Sequence, residues 1–206
     1  MSTIAINMFL TLDGVAQAPG QPEEDRAGGF PHGGWQVPYF TAEQGELVGR
    51  WQGRAGGLLL GRKTYDIFAG HWPRVPADHE HAEIAAVLNA LPKFVASRTA
   101  TSLTWRNSTL LDRDVPAAIA RLKRQDLGEL QVIGSLDLAQ TLIRHGLVDE
   151  YRLMVYPLLL GTGKRLFADG TVPAGLELVS TETTPAGVTA SVYRSAGPVS
   201  YGSFGL

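Results

Sequence analysis

The sequence predicts a single α/β domain built on a mostly parallel sheet with an antiparallel C-terminal edge. Three observations predict it. Short apolar runs alternate with segments of helical periodicity along most of the chain. Three of those runs end in polar or glycine-containing turns, at 61–64, 97–99 and 134–135. Finally, residues 176–183 and 188–193 are β-rich runs separated by Thr184-Pro-Ala-Gly187, the pattern of a hairpin closing a sheet edge.

With 206 residues and 44% hydrophobic content the chain suffices for one well-buried core, so one domain over 1–206 is expected. Its 18 basic and 20 acidic residues leave a formal charge of -2, which offers no broad field for nucleic acid or an anionic membrane; any anion must be held locally. The absence of cysteine excludes disulfides, thiolate metal sites and cysteine nucleophiles. No leader-like N-terminus and no apolar run of about 18 residues is present, which makes the cytoplasm the expected location.

Residues 4–12 form the first predicted strand, ending at Asp13-Gly14. Ligands of open α/β sheets gather at strand C-termini, so Asp13 is a candidate for holding or protonating a substrate, although the pair also makes a plain turn. Residues 17–34 (QAPGQPEEDRAGGFPHGG) are rich in Gly, Pro and charge, with little to bury. They predict a long mobile loop, either a lid or an insertion, between Asp13 and Trp35, with His32 solvated. Thr41-Ala-Glu-Gln44 has capping-box spacing and opens a helix through Leu47, Val48 and Trp51 to about Gly53. Glu43 and Glu46 sit in or near its first turns, where the helix dipole favours acids; Glu43 is the second candidate for catalysis.

Residues 56–60 are a short strand that runs into Gly61-Arg62-Lys63-Thr64 and then an amphipathic helix marked by Tyr65, Ile67 and Phe68. Two cations and a hydroxyl at a helix start complement a phosphate, and cations are otherwise disfavoured there, which argues for an anion to balance them. In the polar connection 71–83, His79 and His81 stand among Asp78, Glu80 and Glu83; nothing fixes the geometry a metal requires, so a solvated loop and no metal site are expected. The strand 93–96 ends in Ser97-Arg98-Thr99, a third polar cluster, and 103–111 reads as a further strand. Asp114 can cap a helix with Pro116 in its first turn, Ile119 and Leu122 inward, and Arg121, Lys123 and Arg124 on a solvated face.

Residues 131–133 are a buried strand that stops at Gly134-Ser135, after which Leu138, Leu142 and Ile143 mark a helix closing at Gly146. Ser135 can accept a hydrogen bond from the first free helix amides, and Gly134 lets a ligand approach the backbone, so the turn suits a phosphate or diphosphate. The apolar run 151–160 should lie beside the 131–133 strand.

Leu12-Asp13-Gly14, Leu60-Gly-Arg-Lys-Thr-Tyr65, Val95-Ala-Ser-Arg98, Val132-Ile-Gly-Ser135, and Gly146-Leu-Val-Asp-Glu150 leading to Pro157 and Leu160-Gly-Thr-Gly163 resemble, in order and spacing, the dihydrofolate reductase superfamily. The likeness is to the branch similar to the reductase domain of the bifunctional riboflavin-biosynthesis deaminase-reductase. The resemblance implies the three-layer fold of that superfamily and an NADPH site. By position, Gly61, Arg62, Lys63 and Thr64 would face the diphosphate and adenosine 2′-phosphate, Ser97 and Arg98 would assist at the latter, and Gly134, Ser135 and Leu136 would cover the diphosphate and ribose. It further implies hydride transfer to a C=N or C=O carbon of a small heterocycle, pyrimidine- or pterin-like, with Asp13 and Glu43 as catalytic candidates and Asp13 and Trp35 against the substrate. A homodimer is implied by the resemblance and by the length of the apolar run 153–160.

The chain departs from the pattern at several points. Phe40 follows Trp35-Gln-Val-Pro38 where dihydrofolate reductases carry an acid, Ser135 replaces the second of paired glycines, and Asp137 follows close to the diphosphate turn. With no cysteine in the sequence, the zinc-binding deaminase of the two-step riboflavin enzyme is not expected here. The alternatives are a non-catalytic nucleotide-binding protein that keeps the turns, and an antibiotic or xenobiotic reductase with the same fold and cofactor.

Overall fold

The computed structural model describes residues 1–79 and 81–205; Glu80, one of the acids flanking the paired histidines, lies outside them. Among the described residues, eight strands form one sheet: β1 (Thr3–Thr11), β2 (Ala55–Gly61), β3 (Lys93–Ala96), β4 (Ser108–Leu110), β5 (Glu129–Ile133), β6 (Glu150–Tyr156), β7 (Leu176–Thr183) and β8 (Thr189–Ser195). Their order is β4-β3-β2-β5-β1-β6-β8-β7. The first six in that order are parallel, and β8 and β7 are antiparallel. An α/β fold with a C-terminal antiparallel hairpin is therefore what the sequence forms.

Five α-helices pack on the sheet: α1 (Ala42–Gln52), α2 (Arg62–His71), α3 (Ala82–Ala90), α4 (Val115–Lys123) and α5 (Leu136–Arg144). On one face, Ile4, Ile6, Met8 and Leu10 of β1 meet Ile119 and Leu122 of α4 and Leu138 and Leu142 of α5 in a single continuous cluster. The opposite face carries two separate clusters. One joins Leu47 and Trp51 of α1 to Met154, Tyr156 and Val192; the other joins Tyr65 of α2 and Leu88 of α3 to Leu58, Leu60 and Val95. Between them, over β5 and β1, Ile133, Asn7 and Phe9 are only half-buried, whereas Ile6, Met8 and Val132 beside them in the chain are buried. Central strands are normally covered on both faces in such a sheet. The helical layer thus leaves a strip open on one side.

Local rules place most elements. Thr41 accepts the Gln44 amide at 3.3 Å and Asp114 accepts the Ala117 amide at 3.1 Å, so both predicted N-caps form. Gly53 follows the last residue of α1 as its cap.

Four expectations are corrected. The run 151–160 does not lie beside β5, because β1 is inserted between β5 and β6, and the strand stops at Tyr156. Leu158 and Leu160 instead fold back on the α1 cluster, and Leu159 is 68% exposed. The predicted strand 103–111 shrinks to Ser108–Leu110, since Trp105 is drawn inward by the Tyr65 hydroxyl, which accepts its amide at 2.8 Å, and Asn107 takes a left-handed φ of 58°. The capping box is half formed: Gln44 does not reach back to the chain but is fully buried, with its Nε2 donating to the Tyr156 hydroxyl.

The fourth correction concerns 17–34, which buries more than its composition suggests. Gln17, Ala18 and Phe30 are all buried. The Gln17 amide donates to the carbonyls of Asp25 and Ala27, each at 2.9 Å, and accepts the Lys164 amide at 3.0 Å, while its own carbonyl takes the Trp35 indole N–H at 2.8 Å. A polar segment can fold inward when one buried side chain satisfies its backbone. Composition alone does not register that.

Candidate cofactor and substrate site

The C-terminal ends of β3, β2, β5 and β1 are neighbours in the sheet, which brings Ser97-Arg98, Gly61–Thr64, Gly134–Leu136 and Asp13 onto one edge in that order. From β2 the chain leaves through α2 toward β3; from β5 it leaves through α5, on the other face, toward β6. Two adjacent strands whose connections depart in opposite directions make a topological switch point, where open α/β sheets place ligands. The two turns are also bonded together. The Gly61 amide donates to Ser135 Oγ at 2.9 Å, and that hydroxyl donates to the Ile133 carbonyl at 3.3 Å. Ser135 therefore does not cap α5 with its side chain, as its position in sequence suggested; it ties one turn to the other.

Gly134 has φ of 65° and is exposed. A Cβ there would sit 3.6 Å from Thr64 Cγ2, so a side chain would fill the space between the two turns. Leu136 and Ser135 are buried behind it, and Asp137 is exposed. The first turn of α2 presents backbone N–H groups next to Arg62 and Lys63. These donors and cations fit the phosphates of a dinucleotide in charge and hydrogen-bond type.

The cations are not without carboxylates, however. Arg62 Nε bonds both oxygens of Asp66 at 2.8 Å, and Lys63 pairs with Asp25, which also holds Lys164 at 2.8 Å. Burial raises the Asp25 carboxyl, but hydrogen bonds from Lys164, Lys63 and the Ala27 amide outweigh it and lower the pKa to about 2. Two protein carboxylates thus occupy the positions an anion was expected to balance. Arg98 is exposed and forms no ion pair among the described residues; Ser97 Oγ accepts the amides of Ala100 and Thr99 at 3.0 and 3.3 Å.

Asp13 is committed to structure. Its carboxylate accepts from the Thr11 hydroxyl at 2.5 Å and from the amides of Leu160 and Gly161 at 3.2 and 2.7 Å, with Arg165 at 3.7 Å. Desolvation pushes its pKa up, yet the hydrogen bonds from Thr11, Gly161 and Leu160 win and hold it below the usual carboxylate range. Trp35 is buried edge-on against Tyr156, ring centroids 5.2 Å apart. Glu43 is exposed in the first turn of α1, and Phe40 is 54% exposed before it.

Sequence reasoning did not single out the residues in and behind the open strip. Asn7 and Phe9 lie in it, on a strand read as apolar with some polar interruption; Gln131, read as part of a buried strand, and Gln44, assigned to a cap, are fully buried behind it. The polar interruptions at Asn7 and Gln131 were the available signal: a polar side chain inside a central strand is unusual unless something hydrogen-bonds it.

At the opposite edge a cavity of about 430 Å³ is lined by Thr3, Arg54, Glu129, Asp149, Glu150 and Arg194, among others. The acids beside it are already paired. Arg152, fully buried, is held by Glu129 and Glu150; Arg54 bonds Glu129 at 3.0 Å and Glu150 at 3.3 Å; Lys123 bonds Asp149 at 2.6 Å. This edge is a charge-satisfied closure of the sheet. Among the described residues no cluster of three or more His, Cys, Asp or Glu is arranged to hold a metal, and no helix is long and apolar enough to cross a membrane.

A mostly parallel sheet with a topological switch point and three polar turns along one edge defines an α/β protein of the kind that places ligands at its strand C-termini. The chain belongs to the RibD C-terminal domain family, whose model matches residues 2–190. It is 30% identical over 137 residues, 66% of this chain and 72% of the other, to the uncharacterized protein YyaP of Bacillus subtilis strain 168. Its fold is similar to that of a candidate riboflavin biosynthesis protein from Shewanella sp. PV-4, with a TM-score of 0.65, 20% identity, and coverage of 94% of this chain and 98% of that one. It is likewise similar to a pyrimidine reductase-like protein from Corynebacterium diphtheriae, with a TM-score of 0.60, 13% identity, and coverage of 94% and 91%. A diaminohydroxyphosphoribosylaminopyrimidine deaminase/5-amino-6-(5-phosphoribosylamino)uracil reductase from Thermotoga maritima also matches, at a TM-score of 0.60 and 14% identity; the match covers 95% of this chain but 57% of that longer one.

Proposed function

We propose that this protein is a stand-alone NADPH-dependent reductase acting on a small pyrimidine- or pterin-like heterocycle, transferring hydride to a C=N or C=O carbon. The observation that carries the reading is the adjacency of three polar turns at the switch point, above a strip of sheet left open on one face. Membership of a family of riboflavin-pathway reductases supports an oxidoreductase. When bound, NADPH supplies the hydride. The chain's own residues supply binding and orientation. Backbone amides at Gly134–Leu136 and the first turn of α2 would hold the diphosphate, with Thr64 against Gly134. Arg62, Lys63, Ser97 and Arg98 would take the adenosine 2′-phosphate, Arg62 and Lys63 exchanging Asp66 and Asp25 for it.

Asp13, held ionised and engaged by two backbone amides, is assigned to shaping the mouth of the site rather than to donating a proton. Trp35 and Phe9 would wall the substrate side. Glu43 remains a second acid to test by substitution. Titration with NADPH and NADH checks the cofactor: binding of neither, or preference for NADH, removes the reading. Arg62→Ala is expected to weaken NADPH far more than NADH.

A binding-only nucleotide protein is favoured by one specific observation, Phe40 in place of an acid together with an ionised Asp13. Turnover over a panel of pterins, pyrimidines and reactive carbonyls separates the two; substrate-dependent NADPH oxidation counts against mere binding. We propose in addition that two copies associate. The run 153–160 no longer argues for this, but the edge strand β7 exposes Leu176, Leu178 and Val179 beside its unpaired backbone. Sedimentation at micromolar concentration showing a monomer would remove the dimer.

A further inference from the structure

The polar interruption of β1 lies at the floor of the open strip. Asn7 is four residues before the end of β1, about 13 Å inside the sheet edge at roughly 3.3 Å per residue. Its register partners are Ile133 on β5 and Arg152 on β6, with Phe9 one row nearer the edge on the same face.

The orientation of the Asn7 amide is fixed by a chain of obligate acceptors. Gln131, fully buried, donates from Nε2 to the Trp51 carbonyl at 2.5 Å and to Glu129 Oε1 at 2.7 Å. A backbone carbonyl and a carboxylate that already faces Arg152 and Arg54 can only accept, so the Gln131 NH2 group must face them and its Oε1 must face away. That oxygen accepts Asn7 Nδ2 at 2.9 Å. One N–H of the Asn7 amide is thereby engaged and the orientation of the group is set, with Asn7 Oδ1 left buried and without a hydrogen-bond partner among the described residues. Turning the amide over would set oxygen against oxygen at Gln131, so the unpaired atom stays an acceptor. A buried acceptor without a partner is unfavourable and uncommon, which marks a place where a ligand donor gains a hydrogen bond that the folded chain leaves unmade.

We infer that Asn7 is a specificity-determining residue: its Oδ1, pinned by Gln131, accepts an N–H from the heterocyclic ring of the substrate. A ring that presents an unsubstituted N–H at its edge, as an imide or lactam does, satisfies it. A ring that presents only acceptors or an N-alkyl group at that point does not. The identity of the ligand as a substrate rests on the reductase reading above; the acceptor role of Asn7 does not. The nicotinamide carboxamide also carries N–H donors, and the experiment separates the two sources.

The probes are uracil and 1,3-dimethyluracil, which differ in ring N–H groups, and NADPH, each titrated calorimetrically against the wild-type protein, Asn7→Leu and Asn7→Ala. Wild type is expected to prefer uracil by about tenfold, the worth of one hydrogen bond in a water-poor site. Asn7→Leu keeps the size of the side chain and should abolish that preference while NADPH affinity stays within about twofold. Asn7→Ala removes the acceptor without adding bulk and should likewise abolish the preference, and it decides the matter if the leucine variant fails to fold. Equal binding of the two pyrimidines by wild type, no binding of either at millimolar concentration, or a preference that survives in Asn7→Leu overturns the inference. So does a loss confined to NADPH, which would assign the acceptor to the carboxamide instead. A protein that discriminates uracil through Asn7 yet ignores NADPH keeps the inference and loses the reductase reading.

Discussion

The Gly61 amide donates to the Ser135 hydroxyl across two adjacent strand ends, at 2.9 Å. This bond ties the turn after β2 to the turn after β5. Ser135→Ala leaves the Gly61 N–H without its partner in a largely buried position, at a cost of about 1–3 kcal/mol. Urea unfolding should show that loss, and NADPH titration should show weakened binding; unchanged values for both would mean the bond is not what sets the turns.

Asp25 gives an acid-limb prediction. Its folded pKa of about 2 lies below the ordinary value of 3.8, so it contributes stability that is present above pH 4 and is lost as the pH falls toward 2. Asp25→Asn should lower stability at neutral pH and flatten the dependence between those limits, measured by chemical denaturation across the acid range. The same variant frees Lys63, so NADPH affinity at neutral pH should rise.

Arg152 is fully buried between Glu129 and Glu150, whereas Arg54 bonds the same acids from a half-exposed position. Removing the buried cation leaves two largely buried carboxylates with only the half-exposed Arg54 as a cationic partner. Arg152→Met is expected to cost about 3–5 kcal/mol, and Arg54→Met about 1 kcal/mol or less, since solvent screens the outer pair. Thermal unfolding of the two variants checks the ranking.

Gly56 permits a close approach of two backbones. A Cβ there would lie 1.9 Å from the Leu127 carbonyl oxygen, a contact that only movement of β2 or of the turn before β5 could relieve. Gly56→Ala is expected to destabilise by more than about 3 kcal/mol, whereas Gly49→Ala, inside α1 with nothing near its Cβ, is expected to stabilise by about 0.5–1 kcal/mol. Comparison of their denaturation midpoints tests it.

What the sequence made legible is what short-range chemistry decides. Thr41 and Asp114 announce helix starts because a cap acts within three residues, and glycines with polar neighbours mark strand ends because only such residues allow the turns. The C-terminal hairpin is visible for the same reason. What stayed hidden depends on residues distant in sequence. Ser135 looks like a cap until Gly61, 74 residues away, claims its hydroxyl. Lys63 looks like an anion receptor until Asp25 arrives from a loop whose composition suggested solvent. The position of β1 between β5 and β6 follows from pairing that neither strand encodes alone. The substrate side was the least visible part, because Asn7 acquires meaning only through Gln131 and Trp51.

One face of the sheet carries a single cluster and the other carries two. The α4–α5 side is held by one uninterrupted core, whereas the α1 side and the α2–α3 side pack separately, with half-buried Asn7, Phe9 and Ile133 between them. Substitutions along the facing margins of those two packings can reshape that gap while the uninterrupted core is left as it is.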